Sequence, residues 1–142
     1  MTPRRWMLVT TGLLLATGCG RTGDVAETSP SPEPAQAVVY QPVTLDIDQL
    51  SAPGSARVGQ PVTVTLRVVL PDGCHEFSRV EVSREGRAVV FTAHGREAQG
   101  VFCTQALEYR DTTARFTPSE AGTYQLRPAR GTASPVSLEV SP

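Results

Sequence analysis

The sequence predicts an all-β fold, a single antiparallel β-sandwich, and three observations carry that prediction. Val62, Val64, Leu66, Val68 and Leu70 alternate with Thr63, Thr65 and Arg67. That period of two puts one strand face in a core and the other in water. Turn-forming residues recur every ~8–12 residues, the spacing of short strands folded back on one another. No window of a dozen residues carries an i, i+3, i+4, i+7 apolar stripe. The 12 glycines and 12 prolines, scattered without period, suit helices poorly and exclude collagen.

The elements follow in order. Val43/Leu45/Ile47 mark a first strand, with Asp46 and Asp48 on its opposite face as the wet side of an edge strand. Pro61 opens the strand from Val62 to Leu70, and Pro71-Asp72-Gly73 closes it. Val80/Val82 mark the next, and Glu85-Gly86 a tight hairpin into the run Arg87 to His94. Gly95 to Gly100 read as a longer connection, followed by strand-like Val101 to Tyr109 and a short piece from Thr112 to Thr117. Tyr124/Leu126 and Val136/Leu138/Val140 complete a set of about eight strands. The domain is expected over residues 43–141, large enough to bury a modest core.

Charge excludes other classes. The chain has 13 basic residues, all arginine, against 14 acidic ones. Arg79, Arg84, Arg87, Arg96, Arg110 and Arg115 are interleaved with Glu81, Glu85, Glu97 and Asp111, a mixed solvated surface. No basic stripe exists, so no nucleic-acid partner is expected.

Residues 1–18 read as an export leader. Arg4 and Arg5 form a positive start, and Trp6 to Ala16 an apolar stretch too short to span a bilayer. Leu15-Ala16-Thr17-Gly18-Cys19 resembles the lipobox of bacterial lipoproteins, with Ala16 where the usual pattern has leucine. The resemblance implies that Cys19 is lipidated and becomes the new N-terminus. Losing Arg4 and Arg5 would leave 11 basic against 14 acidic side chains, a net charge of −3, so attachment would depend on acyl chains such as palmitate rather than on charge. Residues 19–42, with Pro30, Pro32, Pro34 and Pro42, read as a disordered, semi-rigid tether. The expected place is the bacterial cell envelope, with the domain on the extracytoplasmic side.

Setting Cys19 aside leaves Cys74 and Cys103, which allow one pairing; an oxidising compartment makes it a structural disulfide. Glu120-Ala121-Gly122-Thr123-Tyr124 then resembles the turn and strand entry of immunoglobulin-like domains. Gly122 permits a turn geometry closed to other residues, and the Tyr124 hydroxyl can satisfy a buried backbone group. The chain departs from antibody domains: its one tryptophan, Trp6, leaves with the leader, and no cysteine lies two residues after Tyr124. Gly73-Cys74-His75-Glu76-Phe77, Cys103 with Thr104-Gln105-Ala106-Leu107, and the Gly122–Tyr124 turn together resemble small bacterial lipoproteins with one such domain. That resemblance implies fold and location, and no activity.

Candidate chemistry is sparse. Cys74, His75 and Glu76 are metal-ligating types, yet Cys74 is committed to Cys103 and neighbouring strand residues point apart, so neither a metal nor another cofactor is expected. No Gly-x-Ser-x-Gly occurs, and no base is paired with a nucleophile, so no catalytic residues are assigned and the chain is not read as an enzyme. A binding or structural module remains. Asp72, His75, Glu76 and Phe77 form the candidate binding loop, with Ala93 to Gly100 beside it, for an envelope protein or polymer ligand, on a monomeric domain. The alternatives are an inhibitor of an envelope protease or lysozyme, and a periplasmic metal-binding protein acting through His75.

Overall fold

The computed structural model describes residues 37–142. The leader, Cys19 and the tether through residue 36 lie outside the described residues. The described chain is all β: β1 Val39–Ser51, β2 Ser55–Arg57, β3 Val62–Leu70, β4 His75–Glu85, β5 Ala88–Gln99, β6 Glu108–Phe116, β7 Gly122–Pro128 and β8 Val136–Ser141. They hydrogen-bond in the order β2-β8-β7-β5-β1-β3-β6, with β4 on β5.

The long β1 makes the fold. Val39 to Leu45 pair with β5, whereas Asp46 to Ser51 pair with β3, and the register shifts between Ile47 and Gln49. At that bulge one strand passes from the first layer, β4-β5-β7-β8-β2, to the second, β3-β6. Val64, Leu66 and Val68 on β3 face Phe91 on β5, Leu126 on β7 and Leu138 on β8, all fully buried. The Phe116 and Tyr124 rings meet across the layers at a centroid distance of 6.1 Å. The alternation that predicted β3 therefore reports its core face directly.

The uniformly antiparallel expectation gives way to a mixed sheet: β5 with β7, and β2 with β8, are parallel. Alternation tells which face of a strand is buried, and nothing about which strand lies beside it. Asp46 and Asp48 therefore misled, because β1 lies between β5 and β3 rather than at an edge. It also begins at Val39, inside the expected tether.

Gly95 is no turn, since β5 runs on to Gln99. A Cβ on Gly95 would lie 2.5 Å from the Glu76 carbonyl oxygen and 2.6 Å from a Leu45 methyl, so this glycine marks a close approach inside a sheet. The predicted strand from Val101 to Tyr109 is mostly irregular, with β6 starting at Glu108 and absorbing the predicted Thr112–Thr117 piece. The Glu85-Gly86 hairpin is present, Glu85 pairing with Ala88 around Gly86 at φ 64°.

Candidate functional site

One end of the sandwich gathers most of the residues singled out in the sequence. Here β3 ends, the Pro71–Cys74 turn leads into β4, and residues 100–107 cross from β5 to β6. Asp72 organises the turn. Its Oδ1 accepts from the Cys74 amide at 2.9 Å and lies 2.7 Å from His75 Nδ1, which must carry the proton because a carboxylate only accepts. Its carbonyl accepts from the His75 amide at 3.3 Å. The His75 bond first, and the Cys74 amide second, hold the Asp72 carboxyl below its ordinary value.

The Cys74–Cys103 disulfide, with Cα atoms 5.2 Å apart, clamps the crossing loop onto this turn. Two backbone bonds reinforce it, Gly73 N–H to the Thr104 carbonyl at 3.0 Å and Ala98 N–H to the Cys74 carbonyl at 2.9 Å. Cys74 is buried and Cys103 half-buried, in a loop rather than on the strand its spacing suggested.

His75 and Glu76 are neighbours at the start of β4, and both border the larger of two surface hollows. His75 stands between the two. One, of about 150 Å³, is lined by Val43, Leu45, Val69, Pro71 and Arg130; the other, of about 310 Å³, by Leu70, Phe77, Glu108, Tyr109 and Arg110. Glu76 Oε2 accepts from Arg96 Nη2 at 2.6 Å and Nε at 2.8 Å, while Oε1 accepts from the Tyr40 hydroxyl at 3.1 Å. The Arg96 guanidinium also lies 4.3 Å from the Tyr40 ring centroid. Arg96 first, then Tyr40, lowers the Glu76 carboxyl from its usual range. Phe77 packs against the core margin.

The structure thus brings Asp72, His75, Glu76 and Phe77 to one place without aiming them at one point. Their polar atoms are engaged with one another or with Arg96 and Tyr40, which is the chemistry of a braced scaffold. Among the described residues, Asp72, Cys74 and Cys103 also place potential metal-ligating atoms within 4.8 Å of one another. The two sulfurs are bonded together, however, and Asp72 is already accepting, so this grouping is the disulfide and its turn.

The exposed feature of this end is one that polar-residue reasoning passed over. From Gly100 to Leu107 the loop has no charged residue, and Phe102 is fully exposed. Val101 and Leu107 are exposed as well, as are Val38 and Val39, the latter paired opposite Gln99. The signal available in the sequence was the uncharged run from Ala98 to Leu107, bounded by Arg96-Glu97 and Glu108-Arg110-Asp111.

Gly122 and Tyr124 lie at the far end, because β7 runs parallel to β5 from its start. Gly122 has φ 128°, open to glycine and strained for other residues. Tyr124 is wholly buried, yet its hydroxyl donates to the Glu120 carbonyl at 3.2 Å and accepts from the Glu120 amide at 3.4 Å. This pair tethers the turn that enters β7.

Residues 64–129 match the family model of the ORF11 beta-sandwich domain, a span running from within β3 just past the end of β7. No curated protein and no solved structure matches the chain.

Proposed function

We propose that the chain is a lipid-anchored lipoprotein of the bacterial cell envelope, and that its immunoglobulin-like β-sandwich is a non-catalytic interaction module. The disulfide-braced end, comprising the turn at Asp72 and the loop at Phe102, is its contact surface. The observation that carries this reading is the loop itself. A full-sized aromatic side chain held in water costs solubility, and monomeric proteins seldom gather exposed apolar residues without a partner for them. Bracing by Cys74–Cys103 means the loop meets that partner already shaped, so little ordering entropy opposes contact. The lipobox-like Leu15–Cys19 supports the anchor, and the Glu120–Tyr124 turn supports the immunoglobulin-like assignment.

The test is direct. Mass spectrometry of native material finds Cys19 acylated at the N-terminus, and Cys19→Ala moves the domain into the fraction extracted without detergent. An unmodified leader still attached would remove the anchor. A photo-crosslinker at position 102 captures an envelope component, and the same group at Ser83, on the solvent face of β4, does not. Equal yields at both positions would remove the contact surface.

A further inference from the structure

We propose that the component contacted is the lipid bilayer itself: the Gly100–Leu107 end seats on the membrane surface, with Phe102 in the interface. This rests on the reading of Cys19 as a lipid anchor.

Four features of this end fit a lipid surface. First, Val101, Phe102 and Leu107 project from an uncharged loop, and Val38 (44% exposed) and Val39 (64%) extend the same apolar patch along β1. Second, tyrosines stand behind it. Tyr40, paired with Ala98, and Tyr109 at the start of β6 are both exposed. Tyrosine rings with polar tips concentrate at headgroup depth, and the Arg96 guanidinium stacked on the Tyr40 ring has its charge matched by Glu76.

Third, the chain that arrives from Cys19 enters the domain at Val38-Val39, within this patch. Residues 20–36 reach at most roughly 60 Å when extended, so an anchored chain keeps the patch within that distance of the bilayer and raises its effective concentration there. Fourth, the nearby charges are mixed, with Arg96 and Arg110 against Glu76, Glu97 and Glu108. The contact therefore depends on apolar burial and not on anionic lipid. One loop of this size binds weakly by itself, as a single short acyl chain does; together with the anchor it sets the orientation of the domain.

The experiment uses the lipidated chain in vesicles with Phe102→Trp. Trp6 leaves with the leader, so the new indole is the only one present. In phosphatidylcholine vesicles its emission shifts to the blue, lipids brominated high on the acyl chain quench it, and iodide does not. The result is the same with phosphatidylglycerol added and at high salt. For the chain from Gly20, exported without a lipid, vesicle partitioning is weak, and Phe102→Ser lowers it about tenfold or more, as expected for one lost buried aromatic.

Water-like emission with full iodide access in anchored chains would overturn the proposal. So would quenching that requires anionic lipid, concentration-dependent dimers cross-linked through position 102, or loop-dependent capture of an envelope protease or lysozyme without lipid quenching. Failure of the anchor reading is distinct, since Cys19 would then carry no acyl mass.

Discussion

Between the layers, Leu66, Phe91, Leu126 and Tyr124 are wholly buried and held by their neighbours on every side. At the disulfide-tied end, one covalent bond holds a loop whose largest side chain meets only solvent. The two regions answer different demands. The interior is stabilised by removing apolar area from water, and any well-packed set of side chains would serve. The end leaves apolar area in water and compensates with a crosslink and a shared set of polar contacts, which makes sense where the exposed surface is the useful part. If the exposed end is the contact surface proposed above, stability and function are carried by separate residues, and substitutions should separate them.

The largest effect belongs to the interior. Phe91→Ala empties a site between the layers and lowers the unfolding free energy by about 3–5 kcal/mol, measured by urea denaturation. A loss under about 1 kcal/mol would mean that the layers close over the gap and that packing there is loose. The crosslink comes next. Cys74 and Cys103 are 29 residues apart, and the loop-entropy relation gives about 3–4 kcal/mol for such a closure. Replacing both with serine should lower the melting temperature by that equivalent while leaving the far-ultraviolet strand signal intact, because no core strand pairs through the loop. Loss of the strand signal at room temperature would show that the end props up the interior after all.

At the far end Tyr124→Phe keeps the buried ring and removes only the link to Glu120, so its cost is about 1 kcal/mol. Acid probes the braced end from another direction. The carboxyls of Asp72, Glu76 and Asp111 are held below their ordinary values, by His75, Arg96 and Arg67 respectively. A lowered value in the folded state means stabilisation that is present at neutral pH and lost as pH falls through the carboxylate range. Glu76 and Asp111 are exposed and Asp72 is half-buried at the surface, so the loss is small. Two of the three sit at the disulfide-tied end, so protection from amide exchange, relative to the intrinsic rate at each pH, should fall around Asp72 and Glu76 before it falls in β3 as pH drops. Asp72→Asn and Glu76→Gln should flatten that response; an unchanged acid profile would mean these contacts contribute nothing.

The same division decides what could be read from the sequence. The interior was legible wherever a strand has one wet face: β3, β7 and β8 declare themselves through Val64, Leu126 and Leu138. Neighbours were not legible, because the pairing of β5 with β7 depends on the path of the chain through β6 in the other layer and leaves no periodic trace. The loop was misread for a physical reason. Val101, Cys103, Leu107 and Tyr109 alternate as a half-buried strand would, but here the alternation comes from apolar residues placed in water and a cysteine placed for its bond. Apolar pattern shows what must leave water; it is silent on whether the protein's own core is the destination.

The smallest stability change should therefore accompany the largest functional one. Phe102 has no packing to lose, so Phe102→Ser should leave the unfolding free energy within about 0.5 kcal/mol of the parent. Solubility should improve, because the patch shrinks. Contact with the envelope should fall, which separates this residue from Phe91, whose loss weakens contact only by unfolding the domain. A clear loss of stability from Phe102→Ser would show that the ring packs in solution, and the end would then be one more piece of core.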